Sequence, residues 1–331
     1  MSDAPTRPAL LVGLRVPDAF RARLAVRHDV LGPFERRFAD AVAALPTGDA
    51  ARVEVVVIYG NTTISPALMA QLPALRLVCC VGSGYEGVDL RAARERSITV
   101  AHSPGANASA VADFAVGLMV ASVRGIADAD AFVRRGEWRR GNRPAEVRGL
   151  TGRKVGIFGL GAIGAGIARR CEAFEMTVGY HGRAPHAGVA YPFHPTLTGL
   201  ARWADVLMIA VRAGPENRHA VDAAVLAALG RDGHVVNVTR GSVIDEAALV
   251  RALADGTIAG AGLDVVEHEP VVPDALRSMR NVVLAPHVGG NTAEAQAAML
   301  AATLANLEAF VARGAVVTPV PVPVRPAEVA R

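Results

Sequence analysis

The chain has 331 residues, 51% hydrophobic and 20% charged, which is long and apolar enough for two domains with their own cores and excludes a disordered chain. The net charge is +4. No Lys/Arg run is interleaved with aromatic residues, so no nucleic-acid partner is expected, and the excess charge reads as arginines dispersed over the surface, compatible with a mildly positive cleft for an anionic substrate.

In chain order, MSDAPTRP reads as a polar lead into a strand rather than a signal peptide. No window holds 18 uninterrupted apolar residues, so no membrane partner is expected. Short apolar runs follow at 9–14 (ALLVGL), 53–59 (VEVVVIY), 75–81 (LRLVCCV), 98–101 (ITVA), 154–161 (KVGIFGLG), 176–181 (MTVGYH), 204–211 (ADVLMIAV), 234–238 (HVVNV), 260–265 (GAGLDV) and 281–286 (NVVLAP). They alternate with Ala/Leu/Arg-rich helical stretches. Runs apolar on both faces, separated by helices, predict doubly wound α/β architecture with parallel sheets. One segment, 107–136, interrupts the alternation as a long helical stretch; it reads either as a subunit interface or hinge-crossing element, or as a plain buried helix. The Pro-rich end, VVTPVPVPVRPAEVAR, predicts an extended tail lying on the first domain. Cys79, Cys80 and Cys171 have neither disulfide-framework nor metal-ligand spacing, so they read as small buried hydrophobes in a cytoplasmic protein without a metal.

GLGAIG (159–164) follows the strand KVGIF and opens a helix, the context a dinucleotide fingerprint requires. Gly159 permits the tight turn, Gly161 lets backbone approach a pyrophosphate, and Gly164 allows helix to pack on strand. The amides of Ala162 and Ile163 then lie at a helix N-terminus, where anions are stabilised. The next strand ends in YHGRAPH (180–186), with His181, Gly182 and Arg183 where an acid would hold a ribose 2′-hydroxyl. Arg183 is suited to fork onto a 2′-phosphate, Gly182 clears room, and His181 either helps or packs. The expected cofactor is NADP(H).

Three further strand-end motifs carry polar residues: VNVTRGSVID with Arg240, GLDVVEHEP with Asp264, Glu267 and Glu269, and LAPHVGGNT with His287. A 2-keto acid reductase needs a planar cation for carboxylate and carbonyl, an acid/base group, and a carboxylate to orient it. Arg240, His287 and Glu269 fit by type. Taken singly, Arg240 reads equally as a capping or salt-bridge residue, His287 as a core histidine and Glu269 as an N-cap.

Together these motifs, with VGSGYEGVDL (81–90), SPGANASAVAD (103–113), LTGRKVGIFGLGAIG (150–164) and APHVGG (285–290), resemble the D-isomer-specific 2-hydroxyacid dehydrogenases over almost the whole chain. The resemblance implies Arg240, Glu269 and His287 as catalytic residues. It also implies substrate contacts from the backbone of Ser83 and Gly84, and cofactor contacts from Val211, Val238, Thr239, Asp264 (at the nicotinamide carboxamide) and Gly289. The implied architecture is a Rossmann cofactor domain, 102–286, inserted into a flavodoxin-like substrate domain, 1–101 plus 287–331, which closes over substrate. The implied assembly is a homodimer through 107–136. Arg212 stands where relatives often have proline; it reads either as a second positive charge near the adenosine or as a residue pointing to solvent. The small-residue–Arg turn is similar to the NADPH-preferring glyoxylate/hydroxypyruvate reductase branch, and the short stretch after His287 leaves no room for a regulatory domain. The expected function is NADPH-dependent reduction of small 2-keto acids. The alternatives are an NAD-dependent lactate/phosphoglycerate-type enzyme and a nucleotide-sensing co-regulator without catalysis.

Overall fold

The computed structural model describes residues 7–321, so the first six residues and the tail from 322 onward lie outside the described part. Contacts divide the chain into two units, Met1–Asn107 with Ala293–Arg331, and Ala108–Thr292. Both crossings fall six residues beyond the expected 101/102 and 286/287, and local bonds explain why. Residues 102–107 are tied into the first unit, where Ser103 N donates to Gly82 O at 2.7 Å and the Ser83 hydroxyl bonds Asn107 Oδ1 at 3.1 Å. Residues 287–289 are tied into the second by donating three amides to Asp264.

The first unit holds β1 (Ala9–Val12), β2 (Asp29–Leu31), β3 (Val53–Tyr59), β4 (Leu77–Val81) and β5 (Thr99–Ala101), all parallel, in the order β2-β1-β3-β4-β5. That is the flavodoxin-like order. Every residue of β1 and β4 is buried, as strands covered on both faces must be. The helix Ala293–Arg313 is long and apolar enough to cross a membrane. Its Met299, Leu307 and Phe310, however, join Leu77, Cys79 and Val81 of β4 in one core cluster, which makes it a covering helix of the sheet. Fully buried Asn306 pins the described start of the Pro-rich tail: Oδ1 accepts from Val317 N and Thr318 N, both at 2.9 Å, and Val320 N continues the tail onto Val100 O at 2.8 Å.

The second unit holds β6 (Lys154–Phe158), β7 (Thr177–His181), β8 (Val206–Ile209), β9 (His234–Asn237), β10 (Gly260–Leu263) and β11 (Val282–Leu284), again all parallel, ordered β11-β10-β9-β8-β6-β7. Beyond β7 a single parallel bridge, Tyr180 to Phe193, is the remnant of one more strand. Counting it, the order becomes that of a dinucleotide-binding sheet, with the switch point between β6 and β8.

The segment 107–136 is not one helix. It breaks at Gly125, which adopts the left-handed conformation (φ 59°), and the helices Ala108–Val123 and Ile126–Arg134 meet at a 62° bend. The first is a core helix, packed so closely on the helix after β6 that a Cβ on Gly166 would approach the Ala112 methyl to 2.9 Å. The second exposes Ile126 and Val133, and beyond it Trp138 is 70% exposed.

His234, at the start of β9, has Nδ1 2.9 Å from the Ser122 hydroxyl. Burial, aided by Arg153, pushes its imidazole down to about 4. Between that value and the ordinary 6.5 the unfolded chain binds a proton that the folded chain refuses, so stability falls as pH drops through this window. The loss is up to about 3 kcal/mol. Urea unfolding at pH 7 and pH 4.5 should show His234→Asn losing less than the wild type; equal losses would remove His234 as the cause.

Candidate functional site

All six strands of the second unit end on the same edge, and the turns leaving them carry every expected site residue of that unit. After β6, Gly159 has φ 95° and its Cβ position lies 2.7 Å from Val211 backbone, so only glycine fits. A Cβ on Gly164 would lie 2.0 Å from Gly159 O. Gly161 is different: with φ −78° and nothing within 4 Å of its Cβ position, neither the backbone nor the packing requires glycine there. It precedes a helix, Ala162–Ala173, whose N-terminus has no side-chain cap. Open space over uncapped amides suits an anionic group. Gly164→Ala should therefore lose roughly 1–3 kcal/mol of stability, whereas Gly161→Ala should unfold at the wild-type urea concentration. A destabilised Gly161→Ala would show that the protein itself needs the glycine.

After β7, the His181 ring donates from Nδ1 to His194 O at 2.8 Å and stacks on Phe193. Its packing reading is the one the geometry favours. Gly182 has open space at its Cβ position, and Arg183 is exposed, with no ion pair or hydrogen bond from its side chain among the described residues. After β8, half-buried Val211 packs under Gly159, and Arg212 is exposed beside it.

After β9, Val238 and Thr239 are buried and half-buried Arg240 donates from Nη1 to Thr239 O at 2.7 Å. Gly241 is pressed against the next loop, since a Cβ there would lie 2.0 Å from Val266 C. After β10, Asp264 is 2% exposed, and its charge is met by amides. Oδ1 accepts from Val288 N at 2.8 Å, Oδ2 from Gly289 N at 2.9 Å, and its carbonyl accepts from His287 N at 2.8 Å. Gly289 has no room for a side chain, because a Cβ would reach Asp264 Oδ2 at 2.9 Å.

After β11, His287 has φ 57°, a left-handed conformation unusual outside glycine and typical of strained functional positions. Its Nδ1 lies 2.8 Å from Glu269 Oε2. A carboxylate only accepts, so Nδ1 carries the proton of that bond and Nε2 is the nitrogen left for proton exchange. Glu267, two residues earlier, is committed elsewhere: Oε1 accepts from Arg218 at 2.8 Å and from His219 at 2.7 Å. Burial works to raise the Glu267 carboxyl, but these two partners outweigh it and hold it below the usual range. The two glutamates of VVEHEP thus separate, Glu269 to the histidine and Glu267 to the loop after β8. Missing from the sequence-based candidates is Asn237, the fully buried last residue of β9, whose side chain bonds both Thr239 and Arg240.

Ser83 and Gly84 lie in the first unit, in the turn after β4. Ser83 O accepts from His102 Nδ1 at 3.0 Å, and among the described residues the amides of Ser83 and Gly84 reach no protein acceptor. Also among the described residues, no group of three or more His, Cys, Asp or Glu side chains is placed to hold a metal. Cys79, Cys80 and Cys171 are free and buried, with burial raising all three thiols, Cys80 and Cys171 to about 12.

A dinucleotide-order sheet with a histidine–carboxylate pair and an arginine on its strand ends defines an oxidoreductase. The family profile described as D-isomer specific 2-hydroxyacid dehydrogenase, NAD binding domain, matches residues 116–289. Glyoxylate/hydroxypyruvate reductase A of Arabidopsis thaliana is 38% identical over 271 residues, covering 81% of this chain and 86% of its own. The 2-ketogluconate reductase of Gluconobacter oxydans is 41% identical over 261 residues, covering 79% and 84%. Among solved structures, the NADPH-dependent glyoxylate/hydroxypyruvate reductase of Sinorhizobium meliloti, in complex with NADP and malonate, matches with a TM-score of 0.88 at 41% identity, over 95% of this chain and 97% of its own. The chain belongs to the D-isomer specific 2-hydroxyacid dehydrogenase family.

Proposed function

We propose that this protein reduces small 2-keto acids, of the size of glyoxylate, hydroxypyruvate and 2-keto-gluconate, to D-2-hydroxy acids with NADPH. The observation that carries the reading is the His287–Glu269 pair, 2.8 Å from Nδ1 to Oε2, which leaves Nε2 as the proton-exchanging atom. NADPH, when bound, supplies the hydride to the carbonyl carbon. Arg240 grips the substrate carboxylate and polarises its carbonyl. His287 gives the Nε2 proton to the oxygen as negative charge develops there, and Glu269 keeps the ring oriented. In the first unit, the amides of Ser83 and Gly84 serve as carboxylate donors.

The residues present fit the cofactor. Open space at Gly161, over the amides of Ala162 and Ile163, suits a pyrophosphate, and no acid follows β7 to repel a 2′-phosphate. Arg183, with Arg212 as a second cation, is assigned to that phosphate, with His181 and Gly182 shaping the turn. Each Asp264 oxygen keeps a lone pair for the nicotinamide carboxamide. Val211, Val238, Thr239 and Gly289 line the same strand ends. On this reading residues 108–292 form the cofactor domain and the other unit the substrate domain. Exposed Ile126, Val133, Trp138 and Val147 support a homodimer through the 107–136 segment and the stretch just after it. Three buried free thiols suit a cytoplasmic setting.

The test is absorbance of the nicotinamide band with both NADPH and NADH and a panel of 2-keto acids. Turnover of none of them would remove the activity. Turnover with NADH at least as fast as with NADPH would leave the NAD-dependent alternative.

A further inference from the structure

We infer that Asn237 is a positioning residue that sets the loop of Arg240 with its side chain and the loop of His287 through its backbone. The inference rests on the proposed roles of Arg240 and His287 in keto acid reduction.

Asn237 closes β9 and is 0% exposed. A buried primary amide is costly unless its donors and its acceptor are met. Here the acceptor and a donor are met by Thr239 and Arg240, two and three residues on. Oδ1 accepts from Thr239 N at 3.0 Å and from Thr239 Oγ1 at 2.9 Å, and Nδ2 donates to Arg240 O at 2.9 Å. One side chain therefore fixes the path from strand to arginine, including Thr239 O, on which Arg240 Nη1 rests. An apolar residue would fill the space but leave the turn unclosed.

The backbone of the same residue works in the other direction. Asn237 O accepts from Asp264 N at 2.9 Å. Asp264 in turn holds the amides of His287, Val288 and Gly289, and His287 meets Glu269. Arg240, His287 and Glu269 are thus joined through one line of hydrogen bonds with Asn237 where its two arms meet.

Asn237→Asp tests the side-chain arm. Aspartate keeps the acceptor for Thr239 and loses the donor to Arg240, setting a carboxylate oxygen against a carbonyl oxygen. Protonation returns the donor, and a buried carboxyl protonates above its ordinary range. At pH 8 the variant should show kcat/KM for the keto acid roughly tenfold below wild type, with the NADPH Kd, read from nicotinamide fluorescence, within about threefold. The deficit should shrink as pH falls towards 5.5. A variant equal to wild type at both pH values overturns the inference, as does a deficit that acid does not relieve and that NADPH binding shares. Asn237→Ala brings no charge into the core and serves if the aspartate variant does not fold: it should lose kcat/KM at every pH with NADPH binding retained, and wild-type kcat/KM would overturn the inference. Amide hydrogen exchange in residues 239–243 is independent of activity. It should speed up in Asn237→Ala, and unchanged exchange is an overturning result even if the wild type reduces no keto acid.

Discussion

Replacing His287 by alanine is expected to lower kcat for 2-keto acid reduction by roughly 10²–10⁴-fold, with little change in the keto acid KM or in the melting temperature. Among the described residues the ring is held by one bond, to Glu269, and its side chain is 35% exposed, so little packing is lost with it. A core histidine would give the opposite result, a stability loss with proportionate activity. The left-handed backbone at this position adds a complication, because alanine is no better suited to φ 57° than histidine. Asn tolerates that conformation well and cannot exchange a proton at neutral pH. His287→Asn should be as slow as His287→Ala, which separates proton transfer from backbone strain. Glu269→Gln still accepts from Nδ1 but loses the charge-assisted part of the bond, and a smaller loss, on the order of tenfold, is expected. Near-wild-type turnover in both His287 variants would remove the histidine from the chemistry.

Most strands were legible because a strand covered on both faces must be a continuous apolar run; all ten runs hold a strand, although β11 at the sheet edge is only partly covered, with Leu284 exposed. The exception is β2, Asp29–Leu31, a three-residue edge strand with an exposed first residue and no such run to announce it. The bend at Gly125 was hidden for a related reason: a glycine inside a helical pattern reads as tolerated, and only its φ shows that it ends the helix. Within the site, Arg240, Glu269 and His287 fit by residue type but each also has a plain structural reading, and it is the family resemblance that singles them out as candidates. Residue type and motif order could not say that Glu267 is spoken for by Arg218 and His219, since those partners lie 49 and 48 residues away in sequence. Asn237 was passed over for the same reason. Its work lies in the direction of its bonds, and a lone Asn in HVVNV has no spacing signature.

The turn after β7 yields the second large effect. Arg183→Asp is expected to raise the NADPH KM about 10–100-fold while changing the NADH KM far less. A hydrogen bond to a charged group contributes about 1.5–3 kcal/mol, and each tenfold is about 1.4 kcal/mol. Local geometry assigns this effect to Arg183 rather than to its neighbours. The His181 ring is committed through Nδ1 to His194 O and stacked on Phe193, and Gly182 has no side chain. Arg183 is exposed and makes no ion pair among the described residues, so its loss should leave the fold intact. The introduced carboxylate also repels a 2′-phosphate and accepts from a 2′-hydroxyl, so the two KM values should move apart. Arg212 leaves a different strand, and Arg212→Ala should weaken NADPH binding by a smaller factor; since both arginines are assigned to one phosphate, the double variant should depart from the product of the two. Equal effects of Arg183→Asp on NADPH and NADH would mean that the arginine touches no phosphate, and the NADP preference would then have to be sought at Arg212.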